Sequence, residues 1–144
     1  MRVVFDTNVL ARAHQRAKGP ARRAVLHVTS GSDVLILSPY ILAELERVLT
    51  YPRLLTRSGL SPSDIAEYLE NLALISCLVT PDSVPENLLR DPTDAPILGT
   101  ALAGRADILC TRDADLFDES VQRFCAAHKI RLLTDLQFLD AINT

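Results

Sequence analysis

VVFDTNVLARA, residues 3–13, sets three apolar residues directly against an Asp, a Thr and an Asn. Val and Phe favour strands, and a strand that reads as apolar without alternation is one covered on both faces. Asp6 is then a carboxylate at the end of a buried strand, where it costs free energy unless it is paired, hydrogen-bonded or metal-bound. Its partners must come from elsewhere in the chain.

Outward from that stretch, RVVF (2–5), VLIL (34–37), SCLV (76–79), DILC (107–110) and IRLL (130–133) are short apolar or β-branched runs. Helical patterns separate them at 7–15, 20–29, 39–50, 62–74, 95–104 and 115–127, and a last one follows at 135–142. Five such strands alternating with helices predict a parallel sheet covered on both faces, an α/β sandwich. The 144 residues fit one domain, 1–144, large enough to close a single core without a disulfide or structural metal. TPDSVPENLLRDPTD (80–94) reads as a surface connection within that domain. LENLALI (69–75) is more apolar than a solvated helix face requires, so it reads as core in preference to a contact surface.

The 48% hydrophobic and 23% charged content is that of a soluble globular protein, and no apolar run approaches the roughly 20 residues of a membrane helix. The N-terminus lacks the pattern of a signal peptide, which makes the cytoplasm the expected location. Cys77, Cys110 and Cys125 are odd in number and far apart, and read as reduced core residues. With no CxxC, HxxH or HExxH and with His14, His27 and His128 scattered, a zinc site is not expected. A net charge of −3 argues against strong nonspecific nucleic-acid binding by the whole surface. Residues 7–32, however, contain no acid but do contain Arg12, Arg16, Lys18, Arg22 and Arg23. These cations either guide a phosphate backbone or form a solvated helical face.

In parallel sheets, ligands bind outside the carboxyl ends of the strands. Asp6 follows the first strand directly. After the second comes SPYILAELERVLT, in which Ser38 can cap a helix and Pro39 can take its first position. Glu44 and Glu46 both fall at the borders of the apolar arc of that helix, and spacing does not choose between them. DPTDAPILGTALA puts Asp94 at the start of a helix, and TRDADLFD puts Asp113 and Asp115 just beyond the fourth strand. Taken singly, Asp94 reads as an N-cap, Glu44 as a solvated flank, Asp113 and Asp115 as a turn, and Asp118 as surface. Taken together at one sheet edge, such acids repel one another unless a cation lies among them.

VVFDTNVL, LSPYILAELERVL, DPTDAPILGTALAGRADILCTRDADL and IRLLTDLQFL resemble, in order and from residue 2 to about residue 140, the PIN-domain family. The resemblance is to its small bacterial branch of VapC-like toxin components of toxin–antitoxin pairs. It implies a three-layer α/β/α sandwich with a parallel sheet of about five strands, an acidic metal site and endoribonuclease activity. The family's helical acid matches Glu44 and not Glu46. Asp6, Asp94 and Asp113 match its other acids, with Asp115 as a supporting fifth. Arg112 stands where close relatives often carry Gly, which places a cation beside the site. A homodimer and a cognate antitoxin are further implications.

Oxygen ligands without sulfur or imidazole select Mg²⁺ or Mn²⁺. RNA phosphodiester bonds would then be cut by in-line attack of a metal-activated water. Asp6, Asp94 and Asp113 are the expected ligands, direct or through water, and Glu44 a ligand or the group that orients the attacking water. Thr7, Asn8 and Thr111 are supporting donors at the same edge; turn and cap hydrogen bonding explains them equally well. Arg12, Arg22, Arg23 and Arg112 are the candidate phosphate contacts. Three rival readings differ in chemistry. A phosphatase of the haloacid dehalogenase type needs an acid two residues after its nucleophile, where this chain has Asn8. A receiver domain needs its Asp after a middle strand, and Lys129 does not follow the right segment. A non-catalytic PIN scaffold binding RNA or protein has no need of all four main acids, and an RNA-processing nuclease without a toxin role would keep the same chemistry.

Overall fold

The computed structural model describes residues 1–143. β1 (Arg2–Phe5) is the middle strand of a sheet completed by β2 (Val34–Leu37), β3 (Cys77–Leu78), β4 (Ile108–Cys110) and β5 (Arg131–Leu133), in the order β3-β2-β1-β4-β5. All four pairings are parallel. Parallel neighbours require crossovers, and these carry the helices. α1 (Thr7–Leu10) and α2 (Pro20–Ser30) lie between β1 and β2 in the chain, followed by α3 (Pro39–Leu49), α4 (Pro52–Ser58) and α5 (Pro62–Ile75) before β3. α6 (Ala95–Ala103) precedes β4, α7 (Glu119–Ala127) precedes β5, and α8 (Asp135–Ile142) comes last.

From β1 to β3 the chain steps one way across the sheet, and from β4 to β5 it steps the other way. Right-handed crossovers therefore place the two sets of helices on opposite faces. α6 packs on β1, β2 and β4, and α7 on β5; α2 packs on β2 and α8, and α8 on β5. The result is a three-layer α/β/α sandwich. Val3, Val4, Phe5, Ile36, Leu37, Leu109 and Cys110 are fully buried, as strands covered on both faces must be. The reversal of direction falls between β1 and β4, and the crevice at such a switch point is where ligands bind in open parallel sheets.

Four sequence expectations need correction. The helix expected over 7–15 stops at Leu10. The Tyr68 hydroxyl, 2.7 Å from the Leu10 carbonyl oxygen, takes the acceptor that the His14 N–H would use in a continuing helix. The helix expected over 115–127 is a 3₁₀ turn (Ala114–Phe117) and then α7, separated by Asp118 in an extended conformation. α4 was not anticipated as a separate helix, although Tyr51 before Pro52 and Gly59 at φ 67° are its start and stop. SCLV is an exposed edge: β3 has two residues, and Cys77 is exposed, whereas Cys110 and Cys125 are buried. On the neighbouring α5, Leu72 joins the core but Leu74 and Ile75 are 76% and 54% exposed.

Gly99 holds the long 80–94 connection against α6. A Cβ there would collide with the Asp82 carbonyl, and the Asp82 N–H donates to the Gly99 carbonyl at 3.0 Å. Both ends of that connection are thus tied to α6, and its last residue is Asp94.

Candidate active site

The site assembles at the switch point. Parallel register sets Phe5 beside Cys110, so the next residues, Asp6 and Thr111, meet across the strand ends. The Thr111 hydroxyl donates to Asp6 Oδ2 at 2.7 Å, and the Asp6 N–H bonds the Cys110 carbonyl at 2.8 Å. Asp6 Oδ1 accepts the Thr7 N–H at 2.7 Å, which caps α1, and Asn8 Nδ2 lies 3.4 Å from Oδ2. Thr111 Oγ1 also accepts the Asp113 N–H at 3.0 Å, so one hydroxyl links the two acids. Asp6 is 5% exposed, and burial raises its pKa despite the bonds from Thr111 and Thr7, with the charges of Asp113 and Glu44 adding to the rise.

Asp113 and Asp115 sit on the 3₁₀ turn after β4, where Asp113 Oδ1 accepts the Asp115 N–H at 3.0 Å. Asp94 ends a second 3₁₀ turn (Pro92–Asp94). The capping there is done by Asp91, which accepts from the Thr93 N–H and hydroxyl at 3.0 and 2.7 Å. Asp94 makes no cap bond to α6, and its Oδ2 is buried without a hydrogen-bond partner. The N-cap reading of Asp94 therefore does not describe it. Asp94, Asp113 and Asp115 each present a carboxylate oxygen within 4.8 Å of the others. Burial, then the adjacent Asp113 and the charge of Asp6, push the Asp94 pKa up to about 7. Without a cation, its place beside Asp113 favours the protonated form of Asp94 below about pH 7.

Asp6 and Glu44 stand outside that close group. Glu44 Oε2 lies 3.0 Å from the Tyr40 hydroxyl and 3.7 Å from Arg47. Glu46 is exposed on the other flank of α3, lining a hollow with Leu55 and Ile65. Tyr40 was not singled out in the sequence. Its hydroxyl lies between Glu44 and the Thr93 carbonyl, 3.1 Å away, and so ties α3 to the turn that carries Asp94. Burial and Glu44 push its pKa up to about 12, so it remains a donor. An aromatic residue one helical turn before an acid is the only sequence signal for it, and that spacing is common.

The candidate phosphate contacts are divided by the structure. Arg22 is half-buried and donates to the Ala13 carbonyl at 3.0 Å, which makes it a brace for the segment after α1. Arg23 is exposed, and Arg12 is exposed with Nε 3.1 Å from the Asn8 carbonyl. Arg112 turns to Asp135, a residue that sequence reasoning passed over: Nε to Oδ1 is 2.7 Å, and Asp135 is 1% exposed. The Arg112 N–H reaches Asn8 Oδ1 at 3.4 Å, so the pair buttresses the loop that holds Asp113. Arg112→Ala strands a buried carboxylate. The expected result is a loss of about 1–3 kcal/mol in denaturant unfolding at pH 7, with less loss in the double variant Arg112→Ala, Asp135→Asn. Equal losses in the two would remove the ion pair from this account.

The donor set is hard oxygen only, and it includes a buried carboxylate oxygen with no partner. It fits Mg²⁺ or Mn²⁺, with Asp94, Asp113 and Asp115 closest together and Asp6 beside them. An α/β/α sandwich with three acids this close at its switch point has the donor set that a divalent cation could use. The family model described as PIN domain matches residues 2–115, and the chain belongs to that family. Among solved structures, it is similar to a chain in the crystal structure of VapBC2 from Rickettsia felis bound to a DNA fragment from their promoter. The TM-score is 0.58 and the identity 14%, over 93% of this chain and 98% of that one. No curated protein sequence matches the chain. No helix among the described residues is long and apolar enough to cross a membrane.

Proposed function

We propose that this PIN domain is a Mg²⁺- or Mn²⁺-dependent endoribonuclease and the toxin of a toxin–antitoxin pair. The observation that carries the nuclease reading is Asp94: a carboxylate with a buried, partnerless oxygen, pressed against Asp113 and Asp115 beside the buried Asp6. A bound divalent cation supplies there a more acidic water and charge neutralisation at the phosphoryl group. The chain's own residues do the rest. Asp94, Asp113 and Asp115 hold the cation, Asp6 fixes their electrostatic balance from its hydrogen-bonded seat, and Glu44, steadied by Tyr40, orients water. Thr111 keeps Asp6 and Asp113 in register, and Asn8 steadies Asp6.

The toxin reading is supported by the fold shared with a chain of the VapBC2 assembly. It carries with it a cytoplasmic location, a homodimer and a cognate antitoxin that blocks the acidic crevice. The test is cleavage of single-stranded or loop-containing RNA: activity with Mg²⁺ or Mn²⁺ and silence in EDTA are expected, and full activity in chelator overturns the mechanism. Growth arrest on induction, relieved by the product of a small neighbouring gene, is the expected cellular result. Wild-type protein that cuts RNA yet is harmless at high expression would move the chain to RNA processing.

A further inference from the structure

The acid-free run at 7–32 has a counterpart. Residues 47–63 also contain no Asp or Glu, but do contain Arg47, Arg53 and Arg57. The fold brings the two runs together. The segment after α1 and the helix α4 face each other across a groove of about 280 Å³ lined by Ala11, Arg12, His14, Leu49, Leu54 and Arg57. Its walls are apolar and its rim is basic. Leu55 packs on the core, while its neighbour Leu54 lines the groove. His14 adds no charge: burial, and then Arg22 and Arg16, lower its pKa, and its Nδ1 accepts the Arg16 N–H at 3.2 Å.

Two elements lead from the acids to this groove. α1 is capped by Asp6 at one end and by Ala11 at the other; α3 carries Glu44 and ends at Leu49. Each path is five residues long, about 7–8 Å at the helical rise. α1 and α3 also pack on each other, so both paths reach the same place. Arg16 is paired with Asp64 and Arg47 with Glu44, whereas the two arginines that line the groove, Arg12 and Arg57, have no ion pair among the described residues.

We infer that the groove between the end of α1 and α4 binds the single-stranded RNA next to the scissile phosphate, with Arg12 and Arg57 on the backbone and a base against Leu54. The inference rests on the nuclease reading and supplies what the acids lack. A cluster of carboxylates repels RNA, so affinity must come from cations placed beside it and not among it. The rim cations Arg12 and Arg57, which have no ion pair among the described residues, select a polyanion, and the apolar wall selects one with exposed flat bases, which a duplex does not offer. Arg22 and Arg23, on α2, do not line this groove.

The experiment is fluorescence anisotropy of a short labelled single-stranded RNA in EDTA, where no cleavage occurs, over a range of salt. Arg57→Gln is expected to weaken binding about fivefold and to reduce the slope of log K against log salt by about 0.7, the value for one phosphate contact on a single strand. Arg57→Lys should restore the slope. Leu54→Asp, a second variant at a half-buried helix position, should weaken binding through repulsion. Unchanged slopes in Arg57→Gln overturn the inference, as does competition by poly-glutamate equal to that by RNA of the same charge, which would reassign the groove to an acidic peptide. Cleavage by the wild-type protein with Mn²⁺ tests the nuclease reading separately: loss of that activity with normal binding faults the acids, and the reverse faults the groove.

Discussion

Asp113→Asn is expected to lower RNA cleavage by about 10³-fold or more while leaving the fold intact. The Asn oxygen keeps the bond from the Asp115 N–H, and its amide turns a repulsive contact with Asp94 into a donor. Asp6→Asn should abolish cleavage as well, but it is the less clean probe. Both Asp6 oxygens already accept, Oδ1 from Thr7 and Oδ2 from Thr111 and Asn8, so an amide nitrogen at either place meets a donor. Cleavage rates beside circular dichroism spectra of both variants decide the point. Wild-type activity in Asp113→Asn would remove the acids from the mechanism.

The second large effect is a pH-dependent stability that metal reverses. Asp94 titrates near pH 7 in the folded protein and near 3.8 once unfolded. Between those values the native state binds more protons than the unfolded state, so the stability of the metal-free protein falls as pH rises from about 4 to 7 and levels off above. Metal needs the deprotonated carboxylates, so the gain in Tm from Mg²⁺ or Mn²⁺ should grow through the same window. Asp94→Asn keeps the site neutral at that position. It should therefore raise the metal-free Tm by several degrees at pH 8, change it little at pH 5, and remove most of the metal response. Differential scanning calorimetry at the two pH values, with and without metal, reads all three; an unaltered pH slope in the variant would show that Asp94 is not the titrating group.

The fold was legible because β1, β2 and β4 are buried on both faces and so carry no alternation to confuse with an amphipathic element. β3 misled for the converse reason. SCLV is apolar, yet it lies on an exposed edge, and nothing in a short apolar run tells an edge from a centre. α1 was overextended because part of its stop is not local: the Leu10 carbonyl accepts from the Ala13 N–H in a tight turn and also from the Tyr68 hydroxyl, 58 positions away. At the site, acids following strands could be read directly. Their ranking could not. Spacing left Asp94 as a possible cap, and only the capping of its turn by Asp91 showed that its carboxylate is free. Asp135 and Tyr40 escaped notice because each acts through a partner distant in sequence, Arg112 in one case and the Thr93 carbonyl in the other.

The Thr111–Asp6 hydrogen bond spans 105 residues. β1 and β2 can pair, and Glu44 can enter its helix, long before β4 exists to dock against β1. Until it does, Asp6 lacks its principal donor and Asp113 has no seat. A ribosome making this chain therefore carries a product without its assembled acidic site through most of synthesis. The cluster of Asp94, Asp113 and Asp115 closes only after residues 108–115 have emerged and inserted, so on the proposed nuclease reading a chain truncated before them is expected to lack cleavage.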